Sequence, residues 1–341
     1  MTAYSPDWHR TLRAGSAVRV RGRDEILATL DENGCLDDLP FQPEMLAHCG
    51  QRMTVAAVAH KTCDNIEKTG GRWMQDAFHL EGARCDGSLH GGCQADCVFF
   101  WKAEWLAPDT PDASGPVPPP GGISEHQLMD SVVGKDSSPD DPTWVCQTTK
   151  LYDATELLPW WDIRQYVKDV TSGNHSAWEM VKLLTAATYR NIVELGIGYR
   201  FLVALYNRFQ KLTGGKPYPE IAGQIEPGSR TPTETLNLEV GEWVQVRSAD
   251  EIASTITKQG FNRGMRYDIE MLQYSGGKYR VQKRVSKLID EVSGKMVMIK
   301  NPCIQLEDVY CRARCTPKRL GCPRASNTYW REIWLRRSEE P

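Results

Sequence analysis

The chain of 341 residues lacks any apolar stretch of about 18 uncharged residues, so no membrane-spanning helix is expected. Its longest apolar run, Ile192 to Leu205, is interrupted by Glu194 and Arg200. It lacks an excess of either charge: 41 Lys and Arg stand against 44 Asp and Glu, a net charge of −3. That balance gives no global pull toward nucleic acid or an anionic membrane. The N-terminus carries Asp7, His9, Arg10 and Arg13 without an apolar segment, so a secretory leader is not expected and a cytoplasmic location follows by default. Several catalytic signatures are also missing. There is no phosphate-cradling loop, dinucleotide fingerprint, Gly-x-Ser-x-Gly or His-Glu-x-x-His, and Ser, His and Asp are too scattered to argue a triad.

What the chain does have is the same pattern twice. Residues 15–85 lie over residues 241–311 at a constant offset of 226, with 19 identities in 71 positions. These include Val18/Val244, Val20/Val246, Asp24-Glu25-Ile26 over Asp250-Glu251-Ile252, Glu44-Met45-Leu46 over Glu270-Met271-Leu272, and Cys85/Cys311. After a small length difference, Cys93 and Trp101-x-x-x-Trp105-Leu106 match Cys322 and Trp330-x-x-x-Trp334-Leu335. A duplication of this kind separates shared scaffold from residues peculiar to one copy.

Each copy reads as short strands with Gly-rich turns. Ala17 to Arg21 alternates apolar and polar residues, Asp24 to Leu30 suits a helical turn, and Met53 to Ala59 suits a strand. Cys63 to Phe78 reads as a hairpin with its tip at Lys68-Thr69-Gly70-Gly71. The expected class is α+β, with two homologous small SH3-like barrels flanking a helical insertion. Residues 1–106 form the first barrel and 107–142 a Pro/Gly-rich linker holding Pro108, Pro111, Pro116, Pro118, Pro119 and Pro120. The helical insertion spans 143–212, a second linker 213–235, and the second barrel 236–341. Pro159-Trp160-Trp161-Asp162 looks like a helix start, and Trp178 to Gln210 has helical spacing with Gly196 and Gly198 inside it. The insertion packs on the barrels or presents an amphipathic face to a membrane surface or partner.

Eleven cysteines in a reducing compartment point to metal binding or redox chemistry rather than disulfides. The densest group is Arg84-Cys85-Asp86-Gly87-Ser88-Leu89-His90-Gly91-Gly92-Cys93-Gln94-Ala95-Asp96-Cys97. Its glycines let the backbone fold tightly enough to aim several side chains at one centre. The spacing Cys-x7-Cys-x3-Cys matches no diagnostic zinc finger, and iron–sulfur sites have several family-specific spacings. Cys63 offers a fourth thiolate, so Cys63, Cys85, Cys93 and Cys97 make a possible four-thiolate site with His90 as alternate ligand. In copy two, Cys303, Cys311, Cys315 and Cys322 are the corresponding set. Cys311 and Cys322 align with Cys85 and Cys93, and Cys315 falls in the loop where copy one has His90. Cys35, Cys49 and Cys146 are isolated, though Cys146 has a path to the first site. His79, peculiar to copy one, is either a general base facing that site or a hydrogen-bonded strand histidine.

The loop Arg84 to Cys97, the segment Leu158-Pro159-Trp160-Trp161-Asp162 and the segment Tyr329-Trp330-Arg331-Glu332-Ile333-Trp334-Leu335 resemble an uncharacterised bacterial family of duplicated, cysteine-rich proteins associated with biosynthetic gene clusters. The resemblance implies specialised metabolism or glycan assembly and no particular reaction. Two readings stand. One is a metal- or iron–sulfur-dependent redox protein or enzyme with its main site in copy one, acting on a small molecule. The other is a non-enzymatic scaffold of two zinc-stapled barrels whose helical insertion recruits a protein partner. The cofactor is an iron–sulfur cluster on the first reading and zinc on the second.

Overall fold

The computed structural model describes residues 8–64, 66, 70–109, 122–214, 218–221 and 223–341. The fold is mixed α+β. The first half holds β1 (Ala17–Val20), α1 (Arg23–Leu27), β2 (Arg52–Val58), β3 (Lys61–Cys63), β4 (Gly71–Trp73), β5 (Ala77–Leu80), β6 (Trp101–Lys102), β7 (Leu106–Pro108) and α2 (Glu125–Asp130). Then come β8 (Glu156–Leu158) and the helices α3 (Arg164–Thr171), α4 (Ala177–Glu194) and α5 (Tyr199–Thr213). The second half holds β9 (Trp243–Val246), α6 (Ala249–Ala253), β10 (Lys278–Ile289), β11 (Met296–Leu306) and β12 (Leu335–Arg337).

The chain divides into two compact units that do not follow the copies strictly. The first contains Met1–Met180 together with Lys287–Met298 and Gly321–Ala325. Its main sheet is antiparallel, in the order β6-β5-β2-β1-β7. Strand β1 buries Val18 and Val20 and turns Ala17 and Arg19 outward, as the two-residue period of a half-buried strand requires. The first core packs Ile26, Phe41, Met45, Phe99 and Trp105 together with Trp101 of β6. Phe41 meets Trp105 edge to face at 5.1 Å, and Trp105 Nε1 donates to Thr29 Oγ1 at 3.1 Å. A buried indole N–H with such a partner avoids the cost of leaving its donor unpaired.

The hairpin expected over Cys63 to Phe78 is the pairing of β3 with β4, with Cys63 opposite Gly71 and β8 added on the other side of β4. The tip residues Lys68 and Thr69 lie outside the described residues, as do Pro111, Pro116, Pro118, Pro119 and Pro120. The later part of the expected linker is folded. Ser124 Oγ accepts from the Gln127 N–H while the Gln127 side chain accepts from the Ser124 N–H, and this capping box starts α2. Helix α2 then drives Leu128, fully buried, into the first core. A count of prolines and glycines overlooks one well-placed leucine.

The second unit comprises Val181–Ser286, Ile299–Leu320 and Ser326–Pro341. Its sheet runs β11-β10-β9-β12. Trp243 pairs with Arg280 across β9 and β10, as Ala17 pairs with Thr54 across β1 and β2 at the same offset in sequence. Tyr267 meets Trp334 edge to face at 5.1 Å, where Phe41 meets Trp105 in the first unit. Trp334 Nε1 donates to Thr255 Oγ1 at 3.0 Å, the counterpart of Trp105 and Thr29. The helical segment expected over Trp178 to Gln210 is broken into α4 and α5 at Gly196 and Gly198. Both have positive φ, 79° and 66°, which a continuing helix forbids. Among the described residues, no helix is long and apolar enough to cross a membrane.

Candidate metal centre

The cysteine-rich loop of copy one is closed at its base and pinched in its middle. Arg84 and Val98 form an antiparallel bridge, and the Cys85 N–H donates to the Cys97 carbonyl at 2.8 Å. Inside, the Gly87 carbonyl accepts from the N–H groups of His90 at 3.1 Å and Gly92 at 2.9 Å. Gly87 has φ of +71°, and a Cβ there would stand 1.9 Å from the Cys93 carbonyl oxygen, so only glycine fits.

Facing the loop is a two-turn 3-10 helix, Pro43–His48, which presents Glu44. Glu44 Oε1 lies 2.7 Å from His90 Nδ1 and accepts from the Leu89 N–H at 3.3 Å. The Cys85 thiol points at the same oxygen from 3.9 Å, and Gln42 Nε2 donates to its sulfur at 3.4 Å. His90 Nε2 lies 3.0 Å from the Val145 carbonyl oxygen. One carboxylate oxygen, one thiol sulfur and one ring nitrogen from Glu44, Cys85 and His90 therefore all lie within 4.8 Å of one another.

The electrostatics of this trio are informative. A ring nitrogen facing a carbonyl must carry hydrogen, so His90 Nε2 is the N–H and Nδ1 is what faces Glu44. A bare Nδ1 lone pair 2.7 Å from a carboxylate oxygen is repulsive. A cation within reach of the thiol would relieve that contact. The Nε2–H to backbone carbonyl bond is also the contact that fixes the tautomer of metal-bound histidines. Glu44 Oε2, the second carboxylate oxygen, is buried with no hydrogen-bond partner. Buried carboxylate oxygens without partners are costly, and a cation there would offset that cost. Burial, then Glu44 and Cys97, raises the Cys85 pKa, so without a metal this thiol stays protonated.

The other thiols of the loop are placed elsewhere. Cys93 Sγ accepts from the Ile289 N–H at 3.4 Å. Burial pushes Cys97 up to about 12, against the pull of Arg324. Arg324 is itself buried, pairs with Glu291 at 3.0 Å, and has Cys63, Cys97 and Cys322 around it. Burial opposes the Arg324 charge, but Glu291 and these sulfurs outweigh it and hold its pKa above the usual value. Cys63, Cys85, Cys93 and Cys97 thus do not converge on one point among the described residues; a guanidinium occupies the neighbourhood of Cys63 and Cys97. Cys146 is buried close enough to Cys85 and Cys97 to influence both. His79 is buried in its strand, with Nδ1 on the Phe99 carbonyl at 2.9 Å, and burial pulls its pKa down to about 4. It is a neutral core histidine rather than a group open to substrate.

Copy two builds the same latch and closes it. Glu270, buried like a core residue, accepts from the N–H groups of Arg314 at 2.9 Å and Cys315 at 2.6 Å. Backbone donors occupy both oxygens of its carboxylate. Burial, then Glu270, pushes Cys315 up to about 12. Cys303 is buried and directs its thiol at the Val285 carbonyl. Cys322 belongs to the first compact unit, whereas Cys303, Cys311 and Cys315 belong to the second. Among the described residues this second set does not gather at one point. Glu44 was not among the site residues the sequence pointed to; it stood there only as an identity shared by the two copies. The signal for it was present in the identity with Glu270, because a charged pair shared by two copies at a core position needs a polar role.

No protein-family model matches the sequence, and no curated protein matches it.

Proposed function

We propose that this chain is a metal-binding protein whose principal site holds one divalent ion between Glu44, Cys85 and His90. The observation that carries the reading is the convergence of three different donor atoms within 4.8 Å beside a buried carboxylate oxygen that lacks a partner. A mixed oxygen, sulfur and nitrogen set suits zinc, a borderline ion bound by all three. Iron–sulfur clusters are held mainly by thiolates, and this donor set supplies one. Binding the ion would fasten the loop Cys85 to Cys97 onto the 3-10 turn and displace the thiol proton. The antiparallel sheets behind each loop, with their buried tryptophan pairs, support reading both as the curved walls of small SH3-like barrels duplicated along the chain.

Three protein ligands leave a fourth position. Water there is the pattern of a catalytic site, and a fourth protein ligand that of a structural one. The test is metal analysis of protein purified without oxygen, followed by titration of zinc into stripped protein. Glu44→Gln, Cys85→Ser and His90→Ala should each abolish tight uptake at the first site. Retention of wild-type stoichiometry by Cys85→Ser would remove the centre. Cys97→Ser and Cys146→Ser divide the two roles. Unchanged affinity in both supports an open site suited to an enzyme, and a sharp loss in either supports a structural staple.

A further inference from the structure

The helical hairpin of α4 and α5 has one packed side and one bare side. On the packed side the Tyr189 and Tyr206 rings lie 5.4 Å apart and Tyr189 Oη donates to the Leu202 carbonyl at 2.6 Å. The other side of α5 carries Phe201 (71% exposed), Leu205 (51%), Phe209 (60%) and Leu212 (80%). Their spacing of i, i+4, i+8 and i+11 sets all four within one narrow stripe of the helix. Leu195 and Ile197, in the turn that enters α5, are 73% and 81% exposed. Apolar side chains scattered singly on a surface need no explanation, but a contiguous row on one helix marks an interaction site.

The charges say what covers it. Helix α5 carries Arg200, Arg208 and Lys211, all exposed, and no acidic residue. At 100° per residue these three fall along one flank of the apolar stripe. An antiparallel pairing with a second copy would bring the same basic flank against itself, which opposes self-association in that arrangement. An apolar stripe edged by arginine and lysine is instead the signature of a helix lying in the plane of an anionic lipid interface. Among the described residues no helix is long and apolar enough to cross a membrane, and α5 itself has 15 residues.

We propose that α5 docks this protein onto anionic membrane surfaces, with Phe201, Leu205, Phe209 and Leu212 in the headgroup–acyl boundary and Arg200, Arg208 and Lys211 on lipid phosphates. The turn residues Leu195 and Ile197 extend the inserted edge. The proposal is independent of the metal centre, because it uses none of that centre's residues.

The test is co-sedimentation of the full chain with phosphatidylcholine vesicles, with and without about 30 mol% phosphatidylglycerol to supply the anionic surface potential. Binding is expected on the anionic vesicles only, and it should weaken as salt is raised. Each basic side chain near an anionic surface strengthens binding about fivefold. Arg200→Gln/Arg208→Gln/Lys211→Gln should therefore weaken it about a hundredfold. Phe201→Ser/Phe209→Ser should abolish it, with circular dichroism and elution volume unchanged because both positions are exposed. No partition onto anionic vesicles, equal binding to neutral ones, or undiminished binding by either variant would overturn the proposal. So would a dimer dispersed by Phe201→Ser/Phe209→Ser in a protein that ignores vesicles, since that assigns the face to a second copy.

Discussion

Gly87 and Gly82 have almost the same backbone, φ of +71° and +70°, but not the same surroundings. A Cβ at Gly82 meets nothing within 4 Å, whereas at Gly87 it lands 1.9 Å from the Cys93 carbonyl oxygen. Replacing each with alanine separates backbone strain from steric overlap. The left-handed conformation costs alanine about 1–2 kcal/mol, partly offset by about 0.4–1 kcal/mol because alanine also restricts the unfolded chain. Gly82→Ala should therefore lose about 1 kcal/mol. Gly87→Ala carries that loss and must also displace a backbone carbonyl. Overpacking of this kind costs about 1–3 kcal/mol, and the Gly92 N–H to Gly87 bond within the pinch is worth about another 1. The expected gap between the two variants is about 3 kcal/mol. Urea unfolding followed by tryptophan fluorescence measures it, since Trp101 and Trp105 are fully buried in the unit that holds both glycines. The same preparations report zinc affinity, which should fall for Gly87→Ala and hold for Gly82→Ala. Equal stability losses in the two variants would refute the packing described for the loop.

Other expectations concern single groups. His79 has its pKa lowered by burial from 6.5 to about 4, so the folded state refuses a proton that the unfolded chain accepts. Its contribution is complete above about 6.5 and is lost as pH falls toward 4, a loss of about 3 kcal/mol that His79→Gln should remove from the pH profile of unfolding. Lys61 Nζ sits 2.6 Å from Asp169 with both side chains buried, and burial pushes Asp169 up to about 6 against the pull of Lys61. Lys61→Met should cost about 3–5 kcal/mol in thermal or chemical unfolding, with part of the loss recovered by adding Asp169→Leu. Thr29→Val and Thr255→Val remove equivalent indole contacts and should each cost about 1 kcal/mol, equal within error.

Alternation made β1 and β9 legible, because burial of every second valine leaves a mark in the residues themselves. The tryptophan pairs were legible as core for a related reason: they recur at matching positions, and their threonine partners are among the shared identities. The loop Arg84 to Cys97 was legible as a place where side chains converge, because its glycines permit positive φ. Its ligand set was not. Counting sulfur favoured a four-thiolate site, but sequence does not record that the buried Arg324 guanidinium lies near enough to feel Cys63, Cys97 and Cys322. Nor does it record that Glu44, 41 residues before Cys85, is turned toward that thiol by a short 3-10 helix. Long-range approach of a carboxylate leaves no periodic trace. The exposed stripe of α5 was legible as helical spacing, while its exposure among the described residues was visible only in three dimensions.

The inclusion of Lys287–Met298 and Gly321–Ala325 in the first compact unit has a consequence for synthesis. Gln94 and Cys93 take backbone partners from that returning hairpin, and Arg324 supplies the charge beside Cys97. A ribosome that has released Met180 has delivered most of the first unit and none of these pieces. At about 5–20 residues per second, the wait until Ala325 emerges is on the order of ten seconds. During that interval the cysteine loop stands without its cover, its thiols open to oxidation or to capture by the wrong metal. The nascent chain is therefore most vulnerable late in translation, and a metal bound early at Glu44, Cys85 and His90 would hold the loop closed until the rest of its wall arrives.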